Sequence, residues 1–236
     1  MVTGKPGIGK SVFPLRILLH RLALKLPTAL QIEPNCAQLF YQGGVKEFTH
    51  LEDGPRYTPL ESKCGLPGRI WALVDSNRQL VEPAPVFQQG PSFVVKASSP
   101  RPVRHEWTRD IRSISFYMKS WSFTEVLQVR SLIELVASEK KLLDFHRTYG
   151  ASLESLFRFF EDPACYGELV TREAKKLSSS DSYKVFQYAA DTPDISDYLI
   201  STGPLPDDRT RPERKIASKF VLEKICARVI WERVWE

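Results

Sequence analysis

The stretch Gly4-Lys5-Pro6-Gly7-Ile8-Gly9-Lys10-Ser11 constrains this chain most, because it fits G-x-x-x-x-G-K-[ST] without a gap. A loop of that pattern hangs from the carboxyl end of a buried strand and feeds a helix whose first amides and dipole face an anion. Glycines at 4, 7 and 9 let backbone N–H groups converge on a β-phosphate. Lys10 can bridge β- and γ-oxygens, and Ser11 can place its hydroxyl on Mg²⁺. Gly4, Lys5, Gly7, Ile8, Gly9, Lys10 and Ser11 are therefore the candidate nucleotide-binding residues, with ATP or GTP and Mg²⁺ as the expected ligands. Only Met1, Val2 and Thr3 precede the loop, so its strand is expected to be nearly missing and an apolar strand to lie upstream. A lost central strand would leave its neighbours' backbone groups unpaired, at about 1–3 kcal/mol for each buried one.

Mg²⁺ takes one or two protein oxygens besides phosphate, so a carboxylate is needed near Ser11. Asp75 is the candidate: it follows Trp71-Ala-Leu-Val74, a continuous apolar run suited to a strand buried on both faces. Ser11 and Asp75 are the candidate metal ligands. The residue after Asp75 is Ser76, a poor base at neutral pH, so weak hydrolysis or binding alone is expected. A second apolar run, Phe93 to Val95, leads to Ser98 and Ser99, positioned to sense a γ-phosphate or attacking water. Arg101 and Arg104 follow, and a guanidinium there can neutralise transition-state charge. The candidate catalytic set is Asp75, Ser76, Ser99 and Arg104.

Apolar runs separated by helical or loop connections predict an α/β fold, a mainly parallel P-loop NTPase sheet flanked by helices. Spacing predicts a helix from Lys10 to Leu26, kinked by Pro14, then a strand at Thr28–Glu33 and a hairpin turning at Gly43-Gly44. Residues 51–68 read as loop, Ser113–Met118 contains a third short strand run, and 105–113 is a basic helix candidate. At Trp121 the pattern becomes helical. Ser122 and Glu125 form a capping box with Trp121 and Val126 as staple, and helices continue to Leu177. A strand is expected at 182–190, and a last helix with Thr210, Pro212 and Glu213 at its start. The predicted domains are 1–120, the NTPase core, and 121–236, a mainly helical lid-like subdomain.

Cys36, Cys64, Cys165 and Cys226 are far apart, and no His lies at ligand spacing, so neither a disulfide framework nor a metal site of protein ligands alone is expected. The net charge of +5 is concentrated in two places. One is Lys96, Arg101, Arg104, Arg109, Arg112 and Lys119; the other runs from Arg209 to Arg233. Such patches fit phosphates, which makes nucleic acid a second candidate partner. No run approaches the roughly 18 apolar residues of a membrane span, so no membrane partner is expected.

Four segments in order, 3–22 with its GIGKS loop, Ala72–Asn77, Val94–Trp107 with S-P-x-x-R, and Tyr117–Ile133 with W-x-x-x-E-V, resemble the NTPase module of Crinkler-like and retrotransposon hot spot proteins. The resemblance covers residues 2–160 and implies an ATPase of the AAA+/STAND type, with a core sheet, a helical lid and a homo-oligomer in which arginines act across the subunit interface. Glu154 stands near the place where similar proteins carry an arginine after Gly150, with Arg158 further on, and no nuclease-like constellation is found. The expected function is Mg²⁺-dependent nucleotide binding with weak hydrolysis. The alternative is a non-catalytic interaction or nucleic-acid-binding fragment with a relic loop. The expected location is intracellular, cytoplasmic or nuclear, with a secreted-effector origin left open by the short N-terminus.

Overall fold

The computed structural model describes residues 1–49, 70–77, 79–89, 92–99, 113–132, 137–150, 152–178 and 196–235. They form two units, one of residues 1–3 and 9–116, the other of 4–8 and 117–236. The second therefore begins at Tyr117, close to the expected boundary, and takes five residues of the N-terminal loop with it.

In the first unit the apolar run at 71 becomes strand β5 (Trp71–Asp75). It pairs in parallel with β2 (Thr28–Glu33) and β6 (Phe93–Ser98), in the registers Leu30↔Leu73 and Leu73↔Val95. Two neighbours and two covered faces explain why Ala72, Leu73 and Val74 are fully buried. Val2–Thr3 forms β1, parallel to β6 with Val2↔Ala97 and Thr3↔Ser98. With β3 (Cys36–Tyr41), β4 (Gly44–Thr49) and β7 (Phe116–Tyr117) the sheet has seven strands in the order β4-β3-β2-β5-β6-β1-β7. The fold is α/β with a mixed, mostly parallel sheet, as the apolar runs predicted.

The strand before the loop is thus short but present, and it lies inside the sheet. β6 pairs with both residues on one side, and on the other Phe116 N–H donates to Met1 O at 2.7 Å.

Helix α1 (Val12–Ala23) packs on β2, β5 and β6. The helix begins two residues later than expected and ends at Ala23, which places Pro14 in its first turn. The helix starts at Val12, so Pro14 is its third residue, where the amide has no intrahelical acceptor to lose. Arg21 is buried because its Nε donates to Thr28 Oγ1 (2.8 Å), Nη2 to Pro27 O (3.1 Å), and its guanidinium lies 4.3 Å over the Trp71 ring. The opposite face is closed by Ala29, Ala37, Leu39, Ile70 and Ala72 against Ala84, Val86 and Phe87 around α2 (Pro85–Gln89). The β3–β4 hairpin pairs Tyr41 with Gly44, so its two turn residues are Gln42-Gly43, one place before the expected pair.

Within the second unit, α3 (Phe123–Leu132), α4 (Glu139–Tyr149), α5 (Leu153–Phe159), α6 (Pro163–Lys175) and α7 (Lys219–Trp235) contribute to one core. Leu142, Leu156, Val170, Val221 and Ile225 are fully buried in it. The capping box forms as read: Glu125 N–H donates to Ser122 Oγ (3.3 Å) and Ser122 N–H to Glu125 Oε2 (2.7 Å), while Trp121 and Val126 join the core. The box at Thr210 does not. Thr210 N–H and Oγ–H both donate to Asp208 Oδ1 (2.8 and 2.6 Å), and Pro212–Ile216 becomes strand β9 beside β8 (Ile200–Pro204). The last helix is capped by Ser218 instead, whose Oγ accepts from Val221 N–H at 3.2 Å. The expected loop at 51–68, helix at 105–113 and strand at 182–190 lie outside the described residues, except Ser113.

Candidate functional site

Side chains alternate along a strand, so Trp71, Leu73 and Asp75 share the face of β5 on which Leu30 and Val95 also lie. Asp75 closes that row at the carboxyl end, the end at which open α/β sheets take ligands. The Ser11 hydroxyl donates a hydrogen bond to its carboxylate, and the Lys10 ammonium adds a favourable charge. Burial nevertheless pushes the Asp75 carboxyl above its ordinary value, with the Ser11 bond and the Lys10 charge pulling the other way. Three of the sequence candidates are thus brought together, Asp75 standing 65 residues after Lys10 in the chain.

Lys10 and Ser11 sit where the chain rolls into α1: Val12 and Phe13 N–H both donate to Gly9 O, at 3.1 and 3.2 Å. Ser11 is the N-cap residue of that twelve-residue helix, so the positive end of the helix dipole falls on this place. A hydroxyl and one carboxylate already in contact are a hard-oxygen pair that suits Mg²⁺, which draws its remaining ligands from phosphate and water. Among the described residues no group of three or more His, Cys, Asp or Glu side chains could hold a metal alone.

Of the remaining candidates, Ser76 is committed to structure. Its Oγ–H donates to Leu80 O at 2.8 Å, and Asn77 Oδ1 accepts from Gln79 and Leu80 N–H, both at 2.9 Å. Those bonds shape the turn after β5 and leave the Ser76 proton occupied. Ser99 is half-buried just beyond β6, and Arg104 lies outside the described residues. Lys96 leaves the basic patch altogether: it is fully buried on β6, with its ammonium bonded to Val81 O. Sequence reasoning missed Thr3. Its Oγ1 and the Ser98 Oγ, on register-paired residues at the ends of β1 and β6, are buried with no hydrogen-bond partner among the described residues. Nothing in the local sequence marks Thr3, because its register neighbour on β6 is 95 residues away.

The earlier half of the loop belongs to the helical unit. Trp121 Nε1 donates to Ile8 O at 3.1 Å, and Lys5 Nζ to Gly150 O at 3.3 Å. Gly7 has φ 71°, and a Cβ there would stand 2.5 Å from Glu154 Cβ and 3.1 Å from its Oε2. Gly7 is therefore required twice, for its left-handed backbone and for the approach of Glu154. The Lys5 ammonium is committed to Gly150 within the same unit.

Burial lowers the Lys5 ammonium from 10.5 to about 8, against the opposite pull of Asp197. A folded pKa below the unfolded one means that the unfolded chain binds more protons between about 8 and 10.5, so stability from this group rises with pH through that window. Below it the burial penalty is fully present, about 3 kcal/mol. Lys5→Met, which keeps the stem and forfeits the hydrogen bond to Gly150 O and the attraction of Asp197, is expected to raise stability by about 1–2 kcal/mol at pH 7. The gain should shrink towards pH 10.5, as read by urea unfolding at both values. An equal gain at both would remove the ammonium as its cause.

Compared with known proteins, the chain shows no significant match to a family model, a curated protein or a solved structure.

Proposed function

We propose that the chain binds a nucleoside triphosphate with Mg²⁺ at Gly9-Lys10-Ser11 and Asp75, and hydrolyses it slowly. The observation that carries this reading is the Ser11 hydroxyl hydrogen-bonded to the Asp75 carboxylate beside the Lys10 ammonium. These are the groups that phosphate and its metal need, and the chain delivers them from a loop and a strand end far apart in sequence. The Crinkler-like NTPase module remains the family reading proposed for them.

Each residue has a separate task. Lys10 places a positive charge, helped by the α1 dipole, where β- and γ-oxygens gather charge. Ser11 and Asp75 would hold the metal, which when bound neutralises the phosphate charge. Ser76 cannot take a proton from water while its own is given to Leu80 O, so no base stands directly after Asp75. Slow turnover follows.

The test is a calorimetric titration of the full chain with ATP and with GTP, each with and without Mg²⁺. Lys10→Ala is expected to weaken binding at least tenfold, since a charge-assisted phosphate contact is worth about 1.5–3 kcal/mol. Equal affinity in wild type and variant removes the proposal. DNA binding that falls steeply with salt and ignores Lys10→Ala would favour the relic-loop reading instead.

A further inference from the structure

We infer that the cavity between α6 and α7 binds an aromatic phosphate monoester, either a free aryl phosphate or a phosphotyrosine side chain. Lys10, Ser11 and Asp75 do not line it, so this inference stands apart from the nucleotide reading. The space exists because α6 turns the small residues Ala164, Gly167 and Thr171, three and four apart, towards Phe220 and Lys224 of α7. Its volume of about 520 Å³ is that of a small-molecule site. The neutral polar groups of its wall are already engaged. Tyr149 Oη–H donates to Pro163 O and Thr171 Oγ1–H to Gly167 O, both at 2.8 Å. Tyr149 and Phe220 meet edge to face, with ring centroids 5.1 Å apart. Such a wall offers a ligand aromatic surface, and a flat ring suits it best.

Charge selects the rest of the ligand. Arg172, Lys175 and Lys224 line this same cavity, with Glu168 as the one carboxylate among its lining residues. The Lys175 and Glu168 side chains have no ion pair or hydrogen bond among the described residues. Arg172 Nε stands 3.9 Å from Glu173, whose carboxylate is held by Lys176 at 2.6 Å. Lys224 Nζ lies 5.0 Å from the Phe220 ring centroid, a contact that leaves its N–H groups for an anion. Three cations against one carboxylate leave two positive charges over. A carboxylate ligand would balance one of them, whereas a phosphate monoester at pH 7 carries close to two negative charges and balances both. The guanidinium fork of Arg172 also matches phosphate geometry. A nucleic-acid strand fits less well, because on leaving the cavity towards the start of α6 it would meet Asp162 and Glu161, both exposed.

The test is a ligand-observed NMR titration of the full chain. Phenyl phosphate is expected to bind at least about tenfold more tightly than phenyl sulfate, which has the same ring and one charge fewer. It should also exceed inorganic phosphate, which lacks the ring, by about tenfold. Lys175→Gln and Arg172→Gln should each weaken binding about threefold or more, and Glu168→Gln should tighten it by a similar factor. All three side chains are exposed, so the thermal midpoints of these variants should not move. Lys10→Ala should leave phenyl phosphate binding unchanged, which separates this cavity from the loop. A phosphotyrosine tetrapeptide identifies the source: tighter binding than phenyl phosphate assigns the cavity to a partner protein, weaker binding to a small molecule. No saturable binding of phenyl phosphate, equal affinity for phenyl sulfate, no change in any of the three variants, loss in Lys10→Ala, or tighter binding of a single-stranded oligonucleotide through Arg172 and Lys175 would each overturn the inference.

Discussion

Gly150→Ala is expected to destabilise the helical unit by about 3–5 kcal/mol, enough to unfold much of it at room temperature. Gly150 closes α4 in the left-handed conformation, φ 55° and ψ 30°, with its N–H donated to His146 O at 2.9 Å. An alanine there meets the usual left-handed penalty, about 1 kcal/mol. The larger cost is contact: the added Cβ would stand 1.9 Å from Ala217 O, a backbone atom next to the Ser218 cap of α7. Backbone cannot rotate away as a side chain can. Relief requires moving the start of α7 and, with it, Val221 and Ile225 from the core. Thermal unfolding followed by far-ultraviolet circular dichroism checks this, with Gly203→Ala as the comparison, since a Cβ at Gly203 meets nothing within 4 Å. A Gly150→Ala midpoint equal to that of Gly203→Ala would show that the α7 start yields freely.

Asp75→Asn carries the second large effect. The amide oxygen can still accept from Ser11, so the loop and β5 keep their hydrogen bond, but the negative charge that attracts the metal is gone. Nucleotide affinity measured in EDTA should be unchanged or slightly higher. The gain on adding Mg²⁺, expected to be tenfold or more in wild type, should fall to nearly nothing. A gain that survives in Asp75→Asn would move the metal ligand elsewhere.

Local chemistry was legible where a single segment decides the outcome. Thr28–Glu33 and Trp71–Asp75 read as strands because a short apolar run has few other uses, and Ser122 with Glu125 read as a cap because both bonds close within four residues. Asp75 was legible for the same reason, as a carboxylate at the end of such a run. Thr210-x-x-Glu213 carried the same local signal and failed. Asp208 took both Thr210 donors and β8 took the following backbone, and neither competitor lies inside the motif. Lys96 read as surface charge because composition does not tell which face of a central strand is covered. The attachment of the loop was not legible: Lys5 meets Gly150 across 145 residues and Trp121 meets Ile8 across 113.

That attachment limits how the molecule can be dissected. Because residues 4–8 fold with the helices, a fragment starting at 117 would not contain a complete helical unit. It would leave the Trp121 indole N–H and the Gly150 carbonyl facing solvent or a void, and Glu154 without the glycine it covers. Supplying Gly4–Ile8 as a separate peptide, or grafting it through a short linker ahead of Tyr117, should restore cooperative melting to such a fragment. Expression of the lone C-terminal half is therefore expected to give a soft, protease-sensitive product.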